Sequence, residues 1–470
     1  MKSIAVVLIA LICSSNLLFA QKKAAKVKTQ LKKDVQYLSS DELEGRLSGS
    51  SGEYKAALYI ADAFKMAGLV PKGDNNTFFQ DISMVQIRIN QNKMPLMVKD
   101  KNLRLMVLFQ QEGEFYPISY SCNNDSLVDH PTVFMNYGIS APELNLNDYK
   151  DTQNLRGKVF IIKLGSPEVG KEKNRFSVYE NLALKVDLAI KYGARGVIFV
   201  KSDSLSVAPS GMLDRNIQPR KIPVLYTKKG SDFVSSCQSA TFFVKIAQLN
   251  STGRNVIGFI DNKKKETIVI TAHHDHLGYD EYGGSLEPNT GKLHPGADDN
   301  ASGVAMMLQL MRKIKKSCKY KKANYLFVAF TGSEQGNMGA HFFVNNPMID
   351  FKTIKCNFNL DRVGRLDSTS KNLMILGTES NNNWKTTIDK IKVKPENLKV
   401  SFANASILKS DDIVFTQMQK PSISFYTGIN PEYHTTKDVE SLINYNGMYW
   451  TQDFILKLIK KTQKQPFNKN

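Results

Sequence analysis

The stretch from Thr267 to Gly278, T-I-V-I-T-A-H-H-D-H-L-G, decides how the chain is read. Thr267 to Ala272 is a short β-branched, apolar run, the pattern of a strand buried on both faces. Histidines and an aspartate follow it at once. The same arrangement recurs downstream. Tyr325 to Phe330 runs into T-G-S-E-Q-G, which carries Glu334, and Cys356 to Leu360 runs into D-R-V-G-R, which opens on Asp361. Between them P-G-A-D-D-N-A-S-G holds Asp298 just before a helical pattern from Ala301 to Lys316. Y-H-T-T-K-D places His434 beyond the strand-like run Ser422 to Tyr426. Strands alternating with helices predict an α/β fold with a mostly parallel sheet. In such a sheet the strand ends form one edge, where sites gather. Residues far apart in sequence are therefore expected to meet there.

Imidazole nitrogen and carboxylate oxygen are the donors that zinc takes. One carboxylate shared between two ions, with a carboxylate and an imidazole added on each side, makes a site that acidifies water. Asp275, two residues beyond His273, is placed to orient that ring. Taken singly, each feature has a plainer explanation: a histidine after a strand is usually packing, and a D-D-N run is usually a turn or a helix cap. The combination decides otherwise, because four of the seven histidines fall between residues 273 and 294 and acidic loops follow successive strands.

Working outward, the chain has 470 residues and 42% hydrophobic content, enough for two or three domains with a substantial core. Lys2, the apolar run Ile4 to Ile12 and a small Ala20 predict a signal peptide over residues 1–20, hence export to the periplasm or medium. Cys13 offers a lipoprotein anchor as the less favoured alternative, since Ile12 rather than a small residue precedes it. No later stretch is long and apolar enough for a membrane span. The net charge is +19, but the lysines are scattered and no nucleic-acid motif is present, so a solvated basic surface is expected rather than a nucleic-acid partner. Cys122 and Cys237 allow a disulfide in an exported protein, with free thiols as the other possibility, and no C-x-x-C pair suggests a zinc finger. Ala57, Ile60, Ala61 and Phe64 fall at helical spacing before Gly68. Residues 122–248 change character, with strand-like runs framing one helix from Leu182 to Tyr192. Residues 91–120 give no clear pattern.

The motifs T-A-H-H-D-H-L-G, G-A-D-D-N-A-S-G, N-L-D-R-V-G-R and Y-H-T-T-K-D together resemble the di-zinc aminopeptidases of metallopeptidase family 28, over about residues 253–460. D-E-L-E-G-R-L-S-G-S resembles the start of that fold. Y-G-I-S-A-P, L-R-G-K-V-F-I-I and Y-G-A-R-G-V-I-F resemble the protease-associated domain inserted in such enzymes. The resemblance implies residues 29–121 as the first part of the peptidase domain and the lead-in to the insert, 122–248 as the insert, and 249–465 as the peptidase core. It implies two zinc ions, with Asp298 bridging, His273 and Asp361 completing one ion, and Glu334 and His434 the other. Asp275 matches the orienting aspartate, and Tyr433 is a candidate donor to the developing oxyanion. A peptide or protein substrate follows, with hydrolysis at its N-terminal bond.

The resemblance breaks at one place. Where the family has G-E-E-x-G-L-x-G-S, this chain has G-S-E-Q-G-N-M-G-A, and Gly332, Gly336 and Gly339 fix the register. Glu334 is then the ligand, and Ser333 stands where the general base is expected. A serine hydroxyl is no base at neutral pH, and a positioned base typically contributes ~10²–10⁴ in rate. Asp412 stands where the family often has histidine, and Arg362 where it usually has methionine. Asp412 reads as a solvated loop acid or a displaced carboxylate, and Arg362 as paired with a nearby acid or as a partner for a substrate carboxylate. Three functions compete: an exported zinc aminopeptidase, a zinc-binding homologue that only recognises peptides or partners, and single-zinc glutaminyl cyclase chemistry. Retention of both His273 and Asp361 speaks against the last.

Overall fold

In the computed structural model the described residues are 21–465, apart from 90–94, 101–103, 110–114, 151–153, 202–205, 210–212, 214–216, 231–236, 282–283, 288–290, 394–395, 405–407 and 409. The expected leader, residues 1–20 with Cys13, lies outside them. Among the described residues no helix is long and apolar enough to cross a membrane.

A nine-stranded mixed sheet forms the larger unit. Its centre is four mutually parallel strands in the order Asn324–Phe330, Thr267–His273, Ile354–Leu360 and Ser422–Tyr426. Antiparallel strands flank them. Ile246–Ile260 lies beside Asn324–Phe330, and Asn372–Leu376 lies beside Ser422–Tyr426. Every residue of the three strands leading to the expected ligands is buried. Successive side chains go to opposite faces. Tyr325, Phe327 and Ala329 join one core, and Leu326, Val328 and Phe330 the other. The first core is completed by the helices Ser51–Met66, Gly303–Lys315 and Tyr445–Thr462, and the second by Met338–Asn345 and Asp412–Gln417. The mixed α/β fold expected from the strand and helix alternation is what forms. The register aligns the parallel strands at their C-terminal ends, with His273 opposite Phe330 and Leu360 opposite Phe425.

A second, eight-stranded sheet is built from strands between Pro95 and Val244. Among the described residues its longest helix is Leu182–Lys191, capped by Asn181. The strands Pro95–Lys99, Leu105–Phe109 and Phe115–Pro117, from the region that gave no sequence pattern, join this sheet. Antiparallel pairing of Phe79–Ile89 with Ile246–Ile260 carries the chain out to that sheet and back. Cys122, Cys237, Cys318 and Cys356 are free thiols, so the bridge considered between Cys122 and Cys237 is not formed.

Close approach at Gly303 seats the helix that leaves the D-D-N loop. A Cβ there would fall 2.4 Å from the Leu360 carbonyl oxygen and 2.3 Å from Asn300 Oδ1. Neither neighbour can withdraw, because Asn300 Nδ2 itself donates to the Leu360 carbonyl at 2.9 Å. Gly303→Ala is expected to destabilise the protein by about 1–3 kcal/mol, as overpacking does. Urea unfolding should show the midpoint falling at constant m-value.

Candidate active site

Three turns bring the expected residues to the aligned strand ends. His273 closes its strand, and Asp361 follows Leu360 directly. Glu334 sits in the tight turn after Phe330, where Gly332 and Gly336 adopt positive φ of 67° and 81°. These values favour glycine.

Asp275 is fully buried and works as a splint. Its carboxylate accepts from Ser48 Oγ at 2.8 Å, from the Ser333 amide at 3.1 Å and from the Glu334 amide at 3.3 Å. Its backbone carbonyl accepts from His273 Nδ1 at 3.2 Å. His434 Nδ1 donates likewise to the Gly284 carbonyl at 2.8 Å. In both rings the Nδ1 bond leaves Nε2 turned to the interior, the arrangement that prepares a histidine to bind metal.

The two Nε2 atoms face one carboxylate, and it belongs to Asp299 rather than Asp298. His273 Nε2 lies 3.4 Å from Asp299 Oδ1, and His434 Nε2 lies 3.1 Å from Asp299 Oδ2. Asp361 is 3.9 Å from His273 Nε2, while Glu334 reaches His434 Nε2 at 3.2 Å and His276 Nδ1 at 3.0 Å. Asp298 is occupied elsewhere. Its Oδ1 accepts from the Gly364 amide at 2.8 Å and from Ser302 Oγ at 3.0 Å, and its Oδ2 faces Asn430 Nδ2 at 3.3 Å. The expectation of Asp298 as the shared carboxylate is therefore corrected by one residue. The cause is the loop geometry: Asp438, the last residue of Y-H-T-T-K-D, accepts from the amides of both Asp298 and Asp299 at 2.9 and 3.0 Å. This holds the backbone so that the second aspartate faces the strand ends.

Arg46 fixes the same loop from below. It is entirely buried and donates to the carbonyls of Leu38, Pro295, Gly296 and His274. Burial lowers its guanidinium to about 10, against the pull of Asp438, Asp275 and Asp299. The motif E-G-R-L-S carries no local sign of this role, because every one of these carbonyls comes from outside it.

His276 with Asp299 and Glu334, and His273 with Asp299 and Asp361, each present three donor atoms within metal-binding reach. The donor set suits zinc on a second observation. The buried Nε2 atom of His434 makes no hydrogen bond, although Asp299 and Glu334 lie within 3.2 Å of it. Without a cation the site keeps its own protons. Burial would lower His434, but Glu334 and Asp299 raise it to about 11. Burial likewise opposes, and Asp275 and Asp299 reverse, a shift that leaves His273 well above its ordinary range.

A cavity of about 260 Å³ opens onto this cluster, lined by His273, Asp299, Ser333, Glu334, Asp361 and Tyr433 among others. Tyr433 stacks on His434 at 3.8 Å. Burial, with Asp299 and Glu334, raises its phenol and keeps it protonated, hence a donor. Arg362 Nε pairs with Asp361 at 3.1 Å, and its guanidinium lies over the Tyr433 ring at 4.6 Å, which decides for pairing with an acid. Asp412 is neither solvated nor at the cavity; it is buried and bonded to Ser424. Its neighbour Asp411, which sequence reasoning passed over, lies 3.2 Å from Ser333 Oγ. Burial raises the Asp411 carboxyl to about 7.

With this geometry in view, the comparisons with known proteins agree. Residues 255–459 match Peptidase family M28. The aminopeptidase YwaD of Bacillus subtilis is 27% identical over 70% of this chain and 68% of its own length. A probable leucine aminopeptidase of Arthroderma otae is 28% identical over 41% of the chain, which spans about half that relative's length. Among solved structures, an aminopeptidase from Aneurinibacillus sp. strain AM-1 superposes with a TM-score of 0.64 at 22% identity, covering 94% of this chain and 96% of that one. BSAP, a zinc aminopeptidase from Bacillus subtilis, gives 0.58 at 21% identity, covering 92% and 94%. The named relatives are thus aminopeptidases, and the fold is the one that solved zinc aminopeptidases share.

The protons held at the site predict a pH dependence for the metal-free protein. His434 is raised from 6.5 to about 11, and Asp298, by burial and Asp438, from 3.8 to about 8. Between ordinary and raised values the folded state binds more protons than the unfolded chain, so stability falls as pH rises. The two windows overlap from 6.5 to about 8. Chelator-treated protein should therefore melt at progressively lower temperature across that interval, and the gain in Tm from zinc, which competes with these protons, should grow with pH. A metal-free Tm that climbs over the same interval contradicts this assignment.

Proposed function

We propose that this protein is an exported zinc aminopeptidase that hydrolyses the N-terminal bond of peptides, with Asp299 as the carboxylate shared between two metal positions. His273 and Asp361 would complete one position, and Glu334 and His434 the other. The observation that carries this reading is the facing of two metal-ready Nε2 atoms onto the two oxygens of Asp299. Zinc, when bound, would polarise the scissile carbonyl and acidify water.

The chain's own residues supply the rest. The cavity receives the peptide end. Asp275 holds His273 and the Ser333–Glu334 turn in place, and Tyr433 offers a phenol proton to the oxygen that gains charge. Export is supported by the leader-like residues 1–20, and residues 122–248, together with the strands Pro95–Lys99, Leu105–Phe109 and Phe115–Pro117 that share their sheet, are read as a protease-associated insert. A non-catalytic, peptide-binding homologue is the second reading, and Ser333 in place of a base carboxylate favours it.

Zinc-loaded protein should hydrolyse aminoacyl-nitroanilides in a chelator-sensitive way, and His273→Ala should abolish this. Elemental analysis should find that Asp299→Asn loses zinc, whereas Asp298→Asn retains it with lowered stability. Turnover indistinguishable from the His273→Ala control would end the catalytic reading. Zinc lost from Asp298→Asn and kept by Asp299→Asn would overturn the bridging assignment.

A further inference from the structure

We propose that Ser333 and Asp411 together supply the base of this site, Ser333 passing a proton from the attacking water to Asp411. The proposal rests on the aminopeptidase reading above and deepens it.

Ser333 lines the cavity, in company with His273, Asp299, Glu334 and Asp361. Asp411 does not line it. The carboxylate lies directly behind the serine, with Oδ2 3.2 Å from Ser333 Oγ. Asp411 is fully buried, and its Oδ1 has no hydrogen-bond partner. A buried carboxylate with a single hydroxyl partner is costly as a structural element. Nor does it serve the obvious structural purpose. Asp411 is the N-cap residue of the helix Asp412–Gln417, yet its side chain makes no capping bond. It turns instead towards Ser333.

Asn337 completes the line. Its side-chain oxygen is placed 3.1 Å from Ser333 Oγ. One hydroxyl proton cannot serve two acceptors, and the amide's oxygen and nitrogen interchange freely in assignment. With the amide nitrogen facing Ser333, Asn337 donates to Oγ and Oγ donates to Asp411, a continuous chain from the cavity inward. The groups facing Asp411 electrostatically are His273, Asp275 and Asp361.

A water in the cavity forms a bond from its oxygen to the scissile carbonyl carbon and gives up one proton to Ser333 Oγ. The proton already on Oγ moves to Asp411 Oδ2. When the tetrahedral species collapses, the C–N bond breaks and the same path runs backwards, delivering the proton to the leaving amine. Asp411 and Ser333 end as they began. Ser333 is the catalytic residue, and Asp411 acts through it.

The test uses the full zinc-loaded chain with leucyl-nitroanilide. Ser333→Ala and Asp411→Asn should each lower kcat by about 10²-fold with KM little changed. The double variant should be no slower than either single one, because the two residues act as a unit. Ser333→Thr, which keeps the hydroxyl, should recover most of the rate lost in Ser333→Ala. In a Ser333→Glu background the Asp411→Asn loss should shrink to a few-fold, since a direct carboxylate then replaces the relay. A readout independent of turnover is the side-chain ¹³C carboxyl signal of Asp411 in metal-free protein, which should move on Ser333→Ala.

A wild-type kcat in Asp411→Asn overturns the proposal, as does an equal Asp411→Asn loss in both backgrounds. If wild-type protein binds zinc but turns over only once Ser333→Glu is made, the relay is wrong while the peptidase reading of the site stands. If neither protein turns over with zinc bound, the peptidase reading itself fails.

Discussion

A carboxylate taken out of water must meet positive charge or hydrogen-bond donors, and here Asp299, Glu334 and Asp361 are gathered around one buried space. Asp299 and Asp361 are almost wholly buried. The histidines that face them stay protonated in the absence of an ion, supplying charge that a cation would otherwise bring. The arrangement at the sheet edge serves this meeting of acids and imidazoles. Asp438 and Arg46 hold the loop that presents Asp299, and Asp275 holds the turn that presents Glu334. These supports come from both ends of the chain, which ties the N-terminal segment to the site as firmly as the strands themselves.

Much of this was legible in the sequence because it follows from short-range rules. Buried parallel strands announce themselves as unbroken apolar runs, and the residue after each run lands at the sheet edge. That logic placed His273, Glu334 and Asp361 correctly at one edge. The positive φ at Gly332 and Gly336 likewise has a sequence signature in the glycines themselves, and the turn they make carries Glu334, which faces His434.

The rest depended on contacts that no local pattern encodes. Asp298 and Asp299 are chemically identical neighbours. Only the amide bonds to Asp438, 139 and 140 residues away, decide which one faces the histidines. Nothing local in E-G-R-L-S marks Arg46 as a support, because it bonds to carbonyls 228 to 250 residues further on. Asp412, read as a solvated loop acid or a displaced carboxylate, is instead buried away from the cavity, since burial and direction belong to the tertiary fold. The strands between residues 95 and 117 were obscure because they pair with a sheet formed from distant segments.

The central claim is that imidazole and carboxylate groups of this edge hold the metal. X-ray absorption at the zinc edge of the loaded protein tests it most directly. The account predicts a first shell of nitrogen and oxygen only, at about 2.0–2.2 Å, with the outer-shell scattering of bound imidazole. Sulfur in the first shell, or zinc surrounded by water oxygens without imidazole, would contradict it.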